Sequence, residues 1–473
     1  MNWPLLQNSL LVAGLTTLFS ATLGFIAALW LISINPVWRK RLLAVAIIAL
    51  VLPPFLVTNC WLHFLGLTGV WRAWLPLNIY SLGGAVWILT LLTWPIALMA
   101  ALSAWRRLES SLLESDPALR GAALIRWLLW PMARNNLVLS GVLVFVLALN
   151  NFAVPAILQV KVFPAEMWVR FSTNYFLTSE GRFDYATAAQ LIWPLIVAPV
   201  LLLIVLPRAE IGWPSEHGPA TARAIRRQLR PGWFWASAAV SAFVIGLSVG
   251  LPLTQLLFAS RTWIELPNVL RAAPDLLWNS FFFATVSTSI CVALAMLTWR
   301  LPIGLLLWLP FLVPGVILGM GLIYIFNRAP VAWLYQSGGI VVLAFTIRYL
   351  ALGWNTVAAA MRSVDCNLTW AARLDGASGW TLFRHVHWPQ IAPQAGAAWY
   401  VAYLLCLWDV ESLVLIVPPG GETLALRVFN LLHYGHNAQV NALCVLLLAL
   451  AVAPLLIWDL GRWLKSPKAG FRE

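Results

Sequence analysis

The sequence is poor in charge. Only 10% of its 473 residues are Asp, Glu, Lys or Arg, while 61% are hydrophobic; soluble domains have about 25% and 45–50%. A compact soluble fold of this composition would expose much apolar surface to water, at roughly 25 cal/mol per Å², so lipid is the solvent it requires. Cysteine is scarce as well. Of the five, at 60, 291, 366, 406 and 444, none has metal-ligand spacing, and Cys60, Cys291, Cys406 and Cys444 lie in apolar runs as small hydrophobes. His385-x-His387 has no carboxylate or Cys spaced to complete a site. No Gly-rich loop ends in Gly-Lys-Ser/Thr, so nucleotide phosphates are not bound by that route and any energy from ATP must come from a partner. No catalytic constellation stands out, and the expectation is a protein that is not an enzyme. The N-terminus lacks a basic n-region and a small-residue cleavage site, so the first apolar stretch is expected to stay in the mature chain.

What the sequence does have is apolar runs of about 20 residues, each long enough to cross a hydrocarbon core of roughly 30 Å as helix. They recur about eleven times, at 5–31, 43–66, 81–104, 135–160, 186–207, 232–256, 276–299, 302–325, 336–360, 391–417 and 437–459. Open sheet edges are excluded at that depth, so the fold class is all-α: a polytopic membrane protein with about eleven transmembrane helices in two related parallel bundles. The net charge of +13 does not point to nucleic acid, because the basic residues fall between the apolar runs. With the N-terminus outside, 21 of the 30 Lys and Arg lie in cytoplasmic segments and 8 outside, with Arg348 inside a run. That bias orients the chain N-out and C-in, in a bacterial inner membrane.

Residues 208–231, with Pro214, Gly218, Pro219 and four arginines from Arg223 to Arg230, read as a cytoplasmic linker between a first bundle, 1–207, and a second, 232–473. The bundles carry matching marks. Asn8-Ser9 and Asn279-Ser280 each open a helix, Pro54 and Pro314 sit in the next, and Trp130-Pro131 and Trp388-Pro389 close a long cytoplasmic loop. The offsets are 271, 260 and 258 residues. Order and direction are preserved, which describes a parallel repeat in which residues 232–256 are an extra leading helix.

The most informative segment is 369–393. Ala371, Ala372, Gly376 and Ala377 place small residues where another protein surface can approach closely. Phe383 and Val386 follow as an apolar stripe, and Pro389 and Pro393 mark the turn back into lipid. This segment resembles the cytoplasmic "EAA loop" of ABC-transporter permeases: Trp370-Ala371-Ala372 stands for Glu-Ala-Ala, Gly376 for the Gly and Pro389 for the Pro. The Glu of that pattern is absent. In the first bundle the copy is degenerate, with Leu112-Leu113-Glu114 at the first position, Ala118 at the Gly and Pro131 at the Pro.

Further likeness to fused permeases of the iron(III), thiamine and aminoethylphosphonate kind lies in the opening Asn-Ser pairs, in Pro314 to Gly319, in Asn151 to Pro155 and in Pro418 to Thr423. Such proteins usually have twelve helices; with about eleven expected here, the resemblance implies a first half without its leading helix. The resemblance implies a transmembrane subunit that binds two ABC ATPase subunits, which hold the ATP-Mg, through its two cytoplasmic loops. It also implies that a solute, iron(III) among the family's substrates, arrives from an extracytoplasmic solute-binding protein.

Single residues leave alternatives open. Asp409 and Glu411 are carboxylates at the end of a span that either line a pathway or stabilise a broken segment, and two residues apart they would point in different directions on a helix; Asn151 is a further candidate for that pathway. Arg348 either snorkels to a surface or pairs with one of them. Pro314 is either a gate or a static kink, and Gly315-x-x-x-Gly319 permits close packing. Tyr175, Asp184, Tyr434 and His436 belong to outer loops. The competing class is an ion-coupled secondary transporter, for which only Asp409 and Glu411 offer coupling groups. A non-transporting scaffold would leave two related loops unexplained.

Overall fold

The computed structural model describes residues 3–105, 108, 113, 119–172, 185–205, 219–433 and 437–465. Among these the chain is helical. Eight helices are long and apolar enough to cross a membrane: Trp3–Ile32, Leu82–Ala104, Ala122–Leu149, Ala220–Phe258, Pro274–Thr298, Gly339–Arg362, Gly379–Trp408 and Gln439–Ile457. A ninth is counted if the bent pair Pro36–Val51 and Pro54–Leu65 is one span.

About eleven spans are expected from the apolar runs, and eight to nine helices among the described residues meet that length and composition. The run 43–66 is two helices meeting at 87°, because Pro53 and Pro54 withdraw consecutive backbone donors and Pro54 is best accommodated at a helix start. The run 302–325 is likewise divided, with Pro314 between the short helices Trp308–Leu312 and Gly315–Phe326. The run 186–207 falls on the helix Tyr185–Val205, where Leu195–Ile204 is a shorter apolar stretch. Helix starts follow local chemistry. The side chain of Asn35 accepts from Val37 N at 3.0 Å ahead of Pro36, and Ser81 Oγ accepts from Gly84 N at 3.2 Å.

The chain forms two compact units, Met1–Ala259 with Leu312–Pro314, and Ser260–Phe311 with Gly315–Glu473. In the first, Trp3–Ile32, Leu82–Ala104 and Trp130–Leu149 pack as a trio around a core that includes Ala28, Trp94, Leu98, Trp105, Leu129 and Ala133. In the second, Pro274–Thr298, Gly339–Arg362 and Trp388–Trp408 form the corresponding trio, with Ala295, Trp354, Val357, Ala358 and Ala395 at its core.

The opening Asn-Ser pairs do the same work in each unit. Asn8 Nδ2 donates to Lys161 O at 3.2 Å and Ser9 Oγ accepts from Phe163 N at 3.0 Å. Asn279 Nδ2 donates to Glu422 O at 3.1 Å and Ser280 Oγ accepts from Leu424 N at 2.8 Å. Phe163 and Leu424 are the first residues of the helices Phe163–Ser172 and Leu424–His433, so each serine satisfies an otherwise orphaned helix donor.

The segment read as a linker has structure over its second half. Residues 219–229 begin the helix Pro219–Ile245, which breaks at Arg230, φ 66°, where Pro231 disfavours the α conformation of its predecessor. Ile225, Leu229, Phe234 and Val244 are buried in the same cluster as Leu124 and Leu129. Residues 232–256, read from sequence as the head of the second bundle, therefore lie in the first compact unit.

Candidate coupling joints and buried ion cluster

In the second unit the helix Cys366–Leu374 starts where the side chain of Asp365 accepts from Asn367 N at 2.8 Å. It stops at Gly376, whose φ of +86° turns the chain back. Ala377 N donates to Ala372 O at 2.9 Å and Gly376 N to Arg373 O at 3.0 Å, closing the helix end. Ala371 and Gly376 are exposed and Ala372 half-buried. Around them Trp370, Leu374 and Trp380 are 63%, 89% and 70% exposed, an apolar surface with no core beneath it. Gln390 anchors this helix, accepting from Asp365 N at 3.0 Å and donating to Val386 O at 2.8 Å.

Phe383 and Val386 fall in a π-helical turn, Phe383–His387. Phe383 stacks on Trp380 with centroids 5.4 Å apart and tilts against Trp388 at 6.1 Å. The expected turn at Pro389 and Pro393 does not occur. Pro389 lies in the first turn of Trp388–Trp408, where the wider π turn just before leaves room for a residue that donates no backbone hydrogen bond, and Pro393 lies inside the helix.

The same joint stands in the first unit, 258 residues earlier. Gly121 (φ +57°) matches Gly379 (φ +50°), the π turn Ile125–Leu129 matches Phe383–His387, and Trp130-Pro131 matches Trp388-Pro389. Trp105 Nε1 donates to Leu129 O at 2.9 Å, tying this turn to the end of Leu82–Ala104. Glu114 and Ala118 lie outside the described residues, as do Tyr175, Asp184, Tyr434 and His436. Sequence reasoning missed Gly121 and Gly379, although the Trp-Pro offset of 258 finds them.

Each joint leads into one long helix, Ala122–Leu149 or Gly379–Trp408, that ends in a polar turn. In the first unit Asn151 Oδ1 accepts from Val154 N at 3.1 Å. In the second, 258 residues on, Asp409 Oδ1 accepts from Ser412 N at 3.0 Å. Because the helix stops at Trp408, Asp409 and Glu411 are not on opposite helix faces, and both reach Arg348. Arg348 Nη2 lies 2.7 Å from Glu411 Oε2 and Nη1 3.5 Å from Asp409 Oδ1. Arg348 Nη1 also donates to Ser412 Oγ at 2.8 Å, and Asp409 Oδ2 accepts from Tyr349 Oη at 2.9 Å and Ser412 Oγ at 2.7 Å. The side chains of Arg348, Asp409 and Glu411 are 11%, 1% and 12% exposed. Gly315 makes room for this: a β-carbon there would meet Arg348 Nη1 and lie 2.7 Å from Glu411 Cβ.

The chain resembles permease proteins of several transport systems. It is 23% identical over 448 residues to the Fe(3+)-transport system permease protein FbpB 2 of Haemophilus influenzae, covering 90% of this chain and 83% of that protein. Over 156 residues it is 28% identical to the putative 2-aminoethylphosphonate transport system permease protein PhnV of Salmonella paratyphi A, covering 32% and 56%. Over 191 residues it is 25% identical to the spermidine/putrescine transport system permease protein PotC of Escherichia coli, covering 39% and 71%. The chain thus spans just over half the length of the PhnV relative. No protein-family model matches it. The shared term in these names is transport system permease, and the likeness is to that general class rather than to one substrate group.

Proposed function

We propose that this chain is the transmembrane permease subunit of an ATP-driven importer in a bacterial inner membrane, N-out and C-in. Two ABC ATPase subunits, carrying the ATP-Mg, grip the cytoplasmic segments 104–134 and 361–390. A solute delivered by an extracytoplasmic binding protein passes Asp409, Glu411, Arg348 and Asn151. The observation that supports this reading best is the repeated lever: one continuous helix per unit links a glycine, π-turn and Trp-Pro joint to a polar turn at its far end. Gly379–Trp408 has 30 residues, roughly 45 Å at 1.5 Å per residue. A push on the exposed helix Cys366–Leu374 would therefore arrive at Asp409 as movement of a rigid rod. The bundles, 1–207 and 232–473 by repeat, would each carry one such rod.

Iron(III) is the proposed cargo, because the relative aligned over 90% of the chain carries an Fe(3+)-transport name. The interface is tested by pulling the chain from native membranes and asking which ATPase follows. Gly376→Glu is expected to lose the ATPase and transport while still inserting. Since any β-carbon at that positive φ is strained, Ala371→Glu, on the exposed helix, is the companion variant. Unchanged ATPase recovery and uptake in both would remove the interface. Uptake of labelled ferric iron that persists after ion gradients are collapsed, with ATP present, supports ATP drive. Uptake that stops identifies a gradient-driven transporter instead.

A further inference from the structure

The arginines of residues 219–230 have no part in the lever. The helix beginning at Pro219 buries Ala222, Ile225 and Leu229 in the core of the first unit. At 100° per residue, Arg223, Arg226, Arg227 and Arg230 fall together on the other side, and all four are exposed. No Asp or Glu occurs between residues 219 and 235, so the helix itself contributes only cations to this face.

Its position relative to the bilayer follows from what adjoins it. At Arg230 the backbone leaves the helical conformation, so the basic helix is set off at a break from the apolar helix that follows. The first residues of that helix, Trp233 and Trp235, are 47% and 65% exposed, and exposed tryptophans flanking an apolar span belong at the headgroup level. The Arg226 guanidinium lies 4.5 Å from the Phe234 ring centroid, which sets that cation beside the segment carrying Trp233 and Trp235.

We propose that Arg223, Arg226, Arg227 and Arg230 form a binding site for anionic phospholipid headgroups. Guanidinium forks match phosphate oxygens two at a time, and a cluster of cations bordering a span attracts an acidic leaflet. The site would also steady the first joint. Gly121 N donates to Gln228 O at 2.7 Å, and Gln228 Nε2 donates to Leu113 O. The proposal rests on the membrane-spanning reading and not on ATP drive or on the cargo.

The test uses the full chain in nanodiscs of equimolar phosphatidylcholine and phosphatidylglycerol, extracted into detergent, with the retained lipid counted by mass spectrometry. The wild-type chain is expected to enrich phosphatidylglycerol at least about fivefold, the factor of a single basic residue near an anionic surface. Added salt should lower that enrichment. The variant R223Q/R226Q/R227Q/R230Q should lose it, and the four-lysine counterpart should keep it. Absence of enrichment in the wild type, salt-insensitive enrichment, or equal enrichment in the glutamine variant would overturn the proposal. So would a glutamine variant that keeps the lipid but loses an associated ATPase, which would assign the face to an acidic protein surface.

Discussion

Arg348 is held by two carboxylates and the Ser412 hydroxyl, beside a glycine that leaves space for it, while the Tyr349 hydroxyl donates to Asp409. Taking a charge out of water costs several kcal/mol even after relaxation, and opposite charges with satisfied hydrogen bonds repay that cost only while the set is complete. Arg348→Gln would take from Asp409 and Glu411 the cation they share in a buried site. We expect a loss of about 3–5 kcal/mol, the usual result of orphaning a buried charge, seen as a lowered thermal midpoint of the detergent-solubilised chain. Adding Asp409→Asn and Glu411→Gln should recover a large part of it. A triple variant as unstable as the single one would show that the cluster does not stand on charge balance. Sequence offered a pairing of Arg348 with one of the carboxylates as one of two alternatives but not its pairing with both: two positions apart on a helix would point in different directions, whereas the helix ends at Trp408, with Asp409 Oδ1 accepting from Ser412 N in the turn.

The two π turns are the elements on which the proposed lever depends. A π turn carries one residue more than the α-helix around it, and its wider sweep absorbs that residue, so deleting a residue there returns the backbone to α with little net rotation of the flanks but without the slack that accommodates Pro389. Deletion of His385 should therefore press the Pro389 ring against the carbonyl four residues before it and kink the joint between the exposed helix Cys366–Leu374 and Trp388–Trp408. The expected result is normal membrane insertion with transport-coupled ATP hydrolysis reduced at least tenfold in reconstituted vesicles; hydrolysis still stimulated by cargo would remove the π turn from the coupling path. The turns had no sequence signal of their own. Ile125–Leu129 and Phe383–His387 share only an arginine in second place, Arg126 and Arg384, whereas the flanking glycine and Trp-Pro recur at one offset and were legible once aligned. The bend at Pro53-Pro54 was equally readable as a proline effect, but hydropathy alone runs straight through it.

At the scale of the whole molecule, lipid as solvent was legible from composition, and the repeat from Asn-Ser and Trp-Pro, because each reflects a local need that recurs. The extent of the first compact unit was not. Assigning Ala220–Phe258 to it depends on Ile225, Leu229, Phe234 and Val244 meeting Leu124 and Leu129, contacts across a hundred residues that no window of sequence contains. Orientation rests on the imbalance of Lys and Arg, and the chain carries its own reporter for it. Cys60, Cys291, Cys406 and Cys444 are buried, while Cys366 is exposed at the start of Cys366–Leu374. A charged maleimide that cannot cross lipid has therefore one open thiol to find. It should label inside-out vesicles and spare right-side-out ones, with Cys366→Ser abolishing the signal. Labelling of the right-side-out preparation would put the segment 361–390 on the outer face, where an ATP-driven partner could not reach it, and the lever would have no motor.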